Sequence, residues 1–245
     1  MNELIKSKYG LMVINSNDRY IGSHIKAKGV WCENEIDIFH AILREGHIVV
    51  EVGSNIGAHT LPIARFVGPS GRVHAFEPQR IVFYQLVAMV ALNDLTNVVC
   101  HQKTVGETLG SAHVPPVDYN HPGNFGEVSL REGWSGDVLF TESEPEKVDV
   151  VTVDSLNLPA CRLIKVDAEG MDMAVLRGSI DTIKKLRPII FVEFVPETDG
   201  VPIFNFLRSL SYRVYLHSSP GNQNIVCTPQ EWGVFIDGLT ELVEG

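Results

Sequence analysis

The chain has 245 residues, of which 44% are hydrophobic and 20% charged, and its formal net charge is −10. This length allows one large α/β domain with a full core, while the acidic balance, without a basic stripe, argues against a nucleic-acid partner. No run reaches the ~20 apolar residues of a membrane span, the N-terminus lacks the apolar region of a signal peptide, and the four scattered cysteines favour free thiols in the cytoplasm.

Residues 1–46 are predicted to form a hairpin and a helix ahead of the main sheet. Residues 11–14 and 20–25 have the composition of two short strands, and turn-forming Asn, Ser and Asp residues lie between them. Apolar residues then recur at helical spacing over 36–43, which predicts an amphipathic helix.

A glycine turn follows the first buried strand. Residues 48–52 form an apolar run that predicts a parallel strand, and the run stops at a turn containing Gly53 and Gly57. Residues 58–66 then have helical spacing. Open α/β sheets bind nucleotide-like ligands at such strand–turn–helix units, where glycine lets the backbone approach the ligand closely. The third glycine of G-x-G-x-x-G is missing, which disfavours a nicotinamide dehydrogenase.

An acidic residue ends the second strand. Glu77 follows the apolar residues 73–76, one helix and one turn after Gly57, which is about where a ribose-binding carboxylate belongs. An ordinary buried strand that ends in a solvated acid has the same local pattern. The glycine turn and the acid together, in this order, favour a nucleoside-type cofactor.

The alternation of helix and strand continues to residue 101 and then breaks. Residues 79–92 are apolar nearly all round, which predicts a well-buried helix, and residues 97–101 predict a third strand. This rhythm favours a parallel sheet with right-handed crossovers. Residues 106–147 are interrupted by prolines and glycines, and we predict a lid over the substrate rather than a disordered insertion.

The second half returns to strands and helices without a linker or repeat, so we predict one domain over residues 1–245. One helical face, followed by Pro188, is shared by Met171, Val175, Ile183 and Leu186. The other predicted elements are strands at 148–153, 162–167 and 189–194, a helix at 203–210, and a final strand pair at 212–216 and 224–227 around a turn at 220–222.

Charged residues gather at the carboxyl end of the predicted central strand. Lys165 and Asp167 are two apart and share a face, Glu169 follows in the turn, and Glu193 lies in the next strand. Burial and mutual repulsion would perturb these acids, as in working sites. An ion pair that only steadies the strand end is the alternative.

Three segments resemble the FkbM family of S-adenosylmethionine-dependent methyltransferases: EVGSNIG at 51–57, FEP at 76–78 and IKVDAEG at 164–170. The resemblance runs from about residue 47 to 194. It implies a class I methyltransferase fold: a Rossmann-like open α/β sheet of seven mostly parallel strands, the last antiparallel, with helices on both faces. It also implies O-methylation of a hydroxyl on a sugar, glycan or secondary metabolite.

The resemblance implies cofactor contacts along the first half of the chain. S-adenosylmethionine would be held at its methionine part by the turn residues Glu51, Gly53, Ser54, Asn55 and Gly57, although this family more often has Asp at the first position. Its carboxylate would lie at the helix start, which favours anions, near His59 and Thr60. Glu77 would bind the ribose, and the adenine would lie near Thr104 and Glu107.

The catalytic assignment leaves two chemistries open. Asp167 is our first choice of general base, with Glu169 second, because a carboxylate can accept the proton of an attacking hydroxyl. Lys165 can stabilise a developing alkoxide. Asp167, Glu169 and Glu193 can equally hold a divalent cation through oxygen ligands, and their spacing does not decide between base and metal.

Two other functions compete with a small-molecule or glycan acceptor. An RNA 2′-hydroxyl methyltransferase is the nearest, since Lys165, Asp167 and Glu193 resemble a lysine–acid active site; salt-sensitive RNA binding would favour it. The other is a partner protein that binds the cofactor without catalysis. The oligomeric state cannot be read from the residues.

Overall fold

The computed structural model describes residues 1–131, 133–134, 136–195, 199–219, 222–233 and 239–242. The strands, in chain order, are β1 (Asn2–Lys6), β2 (Leu11–Asn15), β3 (Ile48–Val52), β4 (Arg72–Phe76), β5 (Val98–His101), β6 (Thr104–Val105), β7 (Gly110–Val114), β8 (Glu146–Val151), β9 (Leu163–Val166), β10 (Ile189–Glu193), β11 (Tyr212–Ser219), β12 (Asn222–Pro229) and β13 (Thr240–Leu242). The α-helices are α1 (Ile21–Lys28), α2 (Glu33–Ile42), α3 (Thr60–Val67), α4 (Arg80–Leu92), α5 (Asp172–Arg177), α6 (Ile180–Leu186) and α7 (Val201–Ser209).

The central sheet has eight strands in the order β13-β11-β12-β10-β9-β3-β4-β5. Neighbours from β10 to β5 are parallel, and β12 is antiparallel to both β10 and β11. This arrangement confirms the predicted Rossmann-like class I fold. One strand more than predicted, β13, pairs with the outer edge of β11.

Helices cover both faces because side chains alternate along each buried strand. Val49 packs in the core with Phe39 of α2 and with residues of α3. The next residue, Val50, packs in the opposite core with Val175 of α5 and with residues of α6 and α7. The central strands β3 and β9 are therefore buried on both sides, and Glu51 and Lys165 are charged residues within them.

The N-terminal prediction is wrong in part. A hairpin is present, but its strands are β1 and β2, and residues 20–25 lie mostly in helix α1. The Asp18 carboxylate explains this outcome, since it accepts hydrogen bonds from the backbone N–H groups of Tyr20 at 2.9 Å and Gly22 at 2.8 Å. Gly29, with φ +77, then ends the helix.

Two further predictions needed correction. Helix α4 is not buried all round: Tyr84 is 54% and Val87 40% exposed, whereas the opposite side of the helix lies in the core. The face predicted as one helix is divided between α5 and α6. The division lies at Gly178, where a Cβ atom would come within 2.0 Å of the Gly106 carbonyl oxygen.

The insertion at 106–147 is more regular than predicted. Strand β7 pairs antiparallel with β8, and β6 pairs parallel with β8, which makes a separate three-stranded sheet. Residues 110–114 and 146–147 of the insertion therefore lie in strands. The predicted turn at 220–222 falls mainly on residues 220 and 221, which lie outside the described residues. Within the described part of the chain, no helix combines the length and apolar character that a membrane crossing requires.

Candidate active site

The glycine turn lies between β3 and α3 and takes the backbone conformation that glycine favours. Gly53 and Gly57 have φ values of +75 and +86, and Asn55 between them has φ +49. A Cβ atom on Gly53 would lie 1.8 Å from the Asp167 carbonyl oxygen. The turn is thus pressed against the end of β9, which brings two of the predicted motifs into direct contact.

Glu77 lies where the sequence placed it, at the end of β4 beside the turn. Its Oε2 accepts a hydrogen bond from the backbone N–H of Asn55 at 3.0 Å, and its Oε1 accepts one from the N–H of Gln79 at 2.9 Å. Burial outweighs these hydrogen bonds and raises the pKa of Glu77 to about 7. The carboxyl group therefore locks the turn to the β4–α4 connection.

Part of the insertion covers the glycine turn. The Gln79 side chain donates a hydrogen bond to the Phe125 carbonyl oxygen at 2.9 Å and accepts one from the Tyr119 hydroxyl at 2.9 Å. A Cβ atom on Gly126 would come within 2.9 Å of the Asn55 side-chain nitrogen. Gln79 and Tyr119, which the sequence analysis missed, therefore link the insertion to the predicted ribose-binding acid.

Glu51 and Lys165 face each other on neighbouring parallel strands. Glu51 is 1% exposed, accepts a 2.6 Å hydrogen bond from Thr60 on one oxygen, and has no partner for the other among the described residues. Burial raises the pKa of Glu51 to about 7, although the Lys165 charge opposes this. The Thr60 hydroxyl is therefore the hydrogen-bond donor to the buried Glu51 carboxyl group.

Lys165 and Asp167 form an ion pair at the carboxyl end of β9. The Lys165 Nζ lies 3.2 Å from the Asp167 Oδ2, and the two side chains are 1% and 44% exposed. Burial alone would lower the pKa of Lys165, but the charges of Asp167, Glu51 and Glu35 together raise it. The ammonium group of the pair is therefore buried, and its carboxylate is partly exposed to solvent.

Two more carboxyl groups share this edge of the sheet with Asp167. Burial raises the pKa of Glu193 to about 7, and burial together with the charges of Asp167 and Glu193 raises that of Glu169 to about 9. Glu127, from the insertion, adds to both effects. At neutral pH Glu169 therefore keeps its proton, which weakens it as a base and favours Asp167.

The shape of the β9–α5 turn depends on an acid that sequence analysis did not single out. Asp172 accepts hydrogen bonds from the backbone N–H groups of Ala168 at 3.0 Å and Gly170 at 3.2 Å. Between them, Glu169 has φ +47, a conformation that side chains other than Gly, Asn and Asp rarely take. Asp172 thus holds Glu169 beside Asp167.

The remaining predicted residues lie at different depths. Ser54 is buried, and its hydroxyl donates to the Glu51 carbonyl oxygen at 3.2 Å. His59 is buried beside Glu35 of α2, with 3.6 Å between its Nε2 and the Glu35 Oε2. Thr104 lies in β6, and the exposed Glu107 lies 3.4 Å from Arg177 of α5. Among the described residues, no hydrogen bond or ion pair links Thr104 or Glu107 to Glu77.

Glu35 is the main site residue that sequence analysis missed. It is 3% exposed, and one of its oxygens accepts a hydrogen bond from the Asn224 side chain at 3.1 Å. Its position one turn before Phe39, on the apolar face of α2, was a usable signal, because a charged residue on a buried face needs a partner.

The match to a known family decides the identity of this fold. The Methyltransferase FkbM domain matches residues 51–214, which include the glycine turn, Glu77 and the Lys165–Asp167 pair.

The chain belongs to the FkbM methyltransferase family. The cofactor of this family is S-adenosylmethionine, as the sequence predicted. Glu35 and Asn224 lie outside the matched range.

Individual relatives agree with the FkbM assignment. "Methyltransferase 1" of Beauveria bassiana is 31% identical over an alignment of 150 residues, and the match covers 54% of this chain and 58% of that protein. The crystal structure of an FkbM methyltransferase from Methylobacillus flagellatus KT is 17% identical, with a TM-score of 0.54 over 79% of this chain and 50% of that one. The chain therefore spans 58% of the first protein and 50% of the second, and the structural likeness shows the fold.

The FkbM site fits its cofactor by its donor chemistry. The positive φ of Gly53 lets the turn backbone lie close against the end of β9, and Glu77 places a carboxyl group beside the turn. A cavity of about 430 Å³ lies elsewhere, beyond Tyr119, between the N-terminal hairpin, Arg80 and the insertion. Among the residues that the structure describes, no group of three His, Cys, Asp or Glu side chains is arranged to hold a metal ion.

The buried carboxyls predict how stability changes with pH. Their folded pKa values lie above the unfolded value of 4.5, so the stability they contribute is complete below pH 4.5 and is lost as pH rises through the folded values. These are about 7 for Glu35, Glu51, Glu77 and Glu193, and about 9 for Glu169. One pKa unit corresponds to about 1.4 kcal/mol, so we expect the free energy of unfolding to fall by a few kcal/mol from pH 6.5 to 9.

Urea denaturation at intervals of half a pH unit measures this change. Histidines whose pKa values are lowered by burial oppose this change near their ordinary pKa of 6.5, so the fall is read from pH 7.5 upward, where histidine titration contributes little. Glu169→Gln should flatten the part of the curve above pH 8, and the exposed Asp37→Asn should leave it unchanged. A wild-type stability that stays level or rises across the window would contradict the prediction.

Proposed function

We propose that this protein is an S-adenosylmethionine-dependent O-methyltransferase whose acceptor is a hydroxyl of a sugar, glycan or secondary metabolite. One observation carries the proposal: the backbone carbonyl of Asp167 lies against the glycine turn at Gly53, and the partly exposed Asp167 carboxylate is held by the buried ammonium of Lys165. This puts a proton acceptor beside the proposed methyl donor site.

The cofactor contacts are part of the proposal. Backbone groups of Gly53, Ser54, Asn55 and Gly57 would line the methionine part, with Glu51 supporting the turn from below. His59 and Thr60 would act near the carboxylate through the N-terminus of α3. Glu77 would bind the ribose, and Thr104 and Glu107 would contribute to the adenine site.

The chain's own residues supply proton removal and alignment. When bound, S-adenosylmethionine supplies an electrophilic methyl group. Asp167 accepts the proton of the acceptor hydroxyl as that oxygen attacks, a role within the reach of a positioned carboxylate. Lys165 keeps Asp167 oriented, and its charge stabilises the oxyanion as it develops. Glu169 and Glu193 border the acceptor, and the protonated Glu169 can donate a hydrogen bond to it.

The insertion is proposed to act as a lid over the acceptor. Residues 117–128 contact Gln79 and Asn55 on one side. On the other side, Asn15 and Asn17 donate hydrogen bonds to the Tyr119 carbonyl oxygen at 3.0 and 3.1 Å. A segment held at both edges can seal the reaction from water when it closes.

Limited proteolysis tests the lid. We expect the free protein to be cut within 106–147 and cofactor plus acceptor to slow this cleavage, because closure orders the segment. Cleavage elsewhere in the chain serves as the control, since it should respond less. If the segment is never cut in the free protein, a mobile lid is the wrong description.

Transfer of a labelled methyl group tests the function itself. The protein is incubated with methyl-labelled S-adenosylmethionine and a panel of sugars, glycans, hydroxylated metabolites and structured RNA. We expect label in a hydroxyl compound as a methyl ether, which survives mild alkali, whereas a methyl ester does not. Label at RNA 2′-hydroxyls would replace the proposed acceptor class. Cofactor binding without transfer to any acceptor would favour a non-catalytic partner protein.

A further inference from the structure

The cavity of about 430 Å³ lies between the N-terminal hairpin, the start of α4 and the insertion. Its volume falls in the range of about 300–1,000 Å³ that is common for small-molecule sites. Tyr119 lines the cavity, and its hydroxyl donates a hydrogen bond to Gln79. Of the described residues that line the cavity, none is Gln79 or Glu77. The cavity is therefore separate from the proposed ribose position.

The wall that the insertion contributes is held by hydrogen bonds. The Tyr119 carbonyl oxygen accepts hydrogen bonds from the side-chain nitrogens of Asn15 and Asn17 at 3.0 and 3.1 Å. On the same wall, the Pro116 carbonyl oxygen accepts one from the Thr141 N–H at 2.7 Å. A ligand that enters a cavity with such walls orders less of the chain, which favours binding.

The charges around the cavity disfavour an anionic ligand. Arg80 is the only Arg or Lys among the described residues that line it, and its Nε and Nη2 donate hydrogen bonds to the Glu146 carboxylate at 2.9 and 2.6 Å. The other charged side chains there are both acids, Asp118 and Glu144. The Met1 amino group already donates to a serine hydroxyl. A phosphate or carboxylate would therefore meet acids without a free side-chain cation.

A cation would gain little in the same place. Glu146 is already paired with Arg80, and Asp118 lies 2.8 Å from His121. Only the exposed Glu144 is left for a cation, and ion pairs of exposed carboxylates contribute little.

Uncharged groups make up the rest of the lining. The polar ones are Asn2, Asn15, Tyr119, Asn120, Thr141 and Ser143. Ligand hydroxyl groups both donate and accept hydrogen bonds, so they match amides, hydroxyls and carboxylates alike. Residues 114–117 add the apolar surface of two valines and two prolines, which suits the C–H face of a sugar ring. A wholly apolar ligand would instead strip water from the polar groups without replacing its hydrogen bonds.

We propose that this cavity binds a neutral, hydroxyl-rich ligand in the form of a sugar unit, at a site distinct from the acceptor site at Asp167. The inference goes beyond the proposed function, because such binding requires neither the methyl donor nor Asp167. The sugar unit is either a free sugar or a remote part of a glycan acceptor, since both present the same groups to the cavity.

Ligand-observed NMR on the full chain, without a methyl donor, tests the binding. The neutral probes are maltose, cellobiose and glucose, and glucose 6-phosphate and glucosamine are the anionic and cationic counterparts of glucose. We expect saturable binding of at least one neutral probe, which S-adenosylhomocysteine does not displace. Absence of saturable binding by all three, displacement by S-adenosylhomocysteine, or tighter binding of a charged probe than of glucose would overturn the proposal.

Bulky substitutions test the location. Ser143→Trp and Asn120→Trp fill positions that line the cavity, so we expect each to weaken sugar binding by about tenfold, the equivalent of about 1.4 kcal/mol. Ser111→Trp makes the same kind of change on the exposed side of β7, outside the lining, and should leave binding unchanged. Wild-type affinity in both filled variants would overturn the assignment to this cavity.

Glu146→Gln tests the charge argument. It removes the carboxylate that neutralises Arg80, so glucose 6-phosphate should then bind more tightly than glucose. Glu142→Gln, an exposed change outside the lining, should keep the preference for glucose. If Glu146→Gln also keeps that preference, the neutral character of the site has another cause and the proposal fails.

Methyl-labelled S-adenosylmethionine distinguishes the two sources of the sugar unit. Label in the bound sugar identifies it as part of the acceptor, and an unlabelled bound sugar identifies a separate ligand. The binding tests contain no methyl donor, so absence of methyl transfer would count against the proposed function and not against this site.

Discussion

Replacement of Asp167 by Asn is expected to lower the single-turnover rate of methyl transfer by roughly 10²–10⁴, the usual scale for loss of a general base. Asn keeps the shape of the side chain and an oxygen for Lys165 but cannot accept the proton. Asp167 contacts the glycine turn through its backbone carbonyl, which the substitution retains. The affinity for S-adenosylmethionine should therefore change little, so the loss appears in the rate alone.

The controls separate a base from a metal ligand and from a damaged fold. Asp37→Asn makes the same chemical change on the exposed side of α2 and should keep the wild-type rate. Both variants and the wild type are also assayed with a chelator. A wild type that loses activity in chelator would move Asp167 from base to ligand, and a rate near wild type in Asp167→Asn would refute the assignment.

Replacement of Gly53 by Ala is expected to weaken cofactor binding and to destabilise the fold. The added Cβ atom would lie 1.8 Å from the Asp167 carbonyl oxygen, and the backbone, with φ +75, disfavours a side chain. Left-handed strain and overpacking together cost roughly 2–5 kcal/mol. The clash is with backbone, so β3 and β9 must separate beside the proposed cofactor and acceptor sites. We expect the affinity for S-adenosylmethionine to fall by about 100-fold, the equivalent of about 2.8 kcal/mol.

Gly29 provides a control matched in backbone conformation. Its φ is +77, but the only neighbour near a Cβ atom is the Lys8 nitrogen at 4.0 Å. Gly29→Ala should therefore lower the free energy of unfolding through backbone strain alone, by about 1–2 kcal/mol. Its cofactor affinity should be unchanged. Calorimetric titration and urea denaturation measure both quantities. If Gly53→Ala and the wild type bind S-adenosylmethionine with equal affinity, the turn is not part of the cofactor site.

The sequence by itself determined the parts of the site that depend on near neighbours in the chain. A buried strand that ends at a glycine pair predicts the turn, because glycine takes the positive φ values observed at Gly53 and Gly57. Alternation along β9 puts Lys165 and Asp167 on one face, as the observed contact confirms. Both patterns are short, so periodicity and residue type were sufficient to find them.

Local patterns failed where a polar contact outweighed strand propensity. Residues 20–25 contain isoleucines that suit a strand, but the Asp18 carboxylate satisfies the first N–H groups of a helix instead. The apolar composition of α4 likewise predicted a well-buried helix, but composition does not show how much of a helix other elements cover. Burial of a helix depends on its neighbours, and Tyr84 is exposed because none lies against that side among the described residues.

Only the tertiary structure decided the electrostatics of the site. Glu35 and Asn224 are 189 positions apart in the chain. Their hydrogen bond exists because α2 packs against the sheet next to β12. The pKa shifts of Glu35, Glu51 and Glu169 have burial as their largest cause. Burial is a property of everything packed around a group, and no local pattern in the chain contains it. Residue types and their order thus specified which acids are present, while packing decided which of them keep a proton at neutral pH.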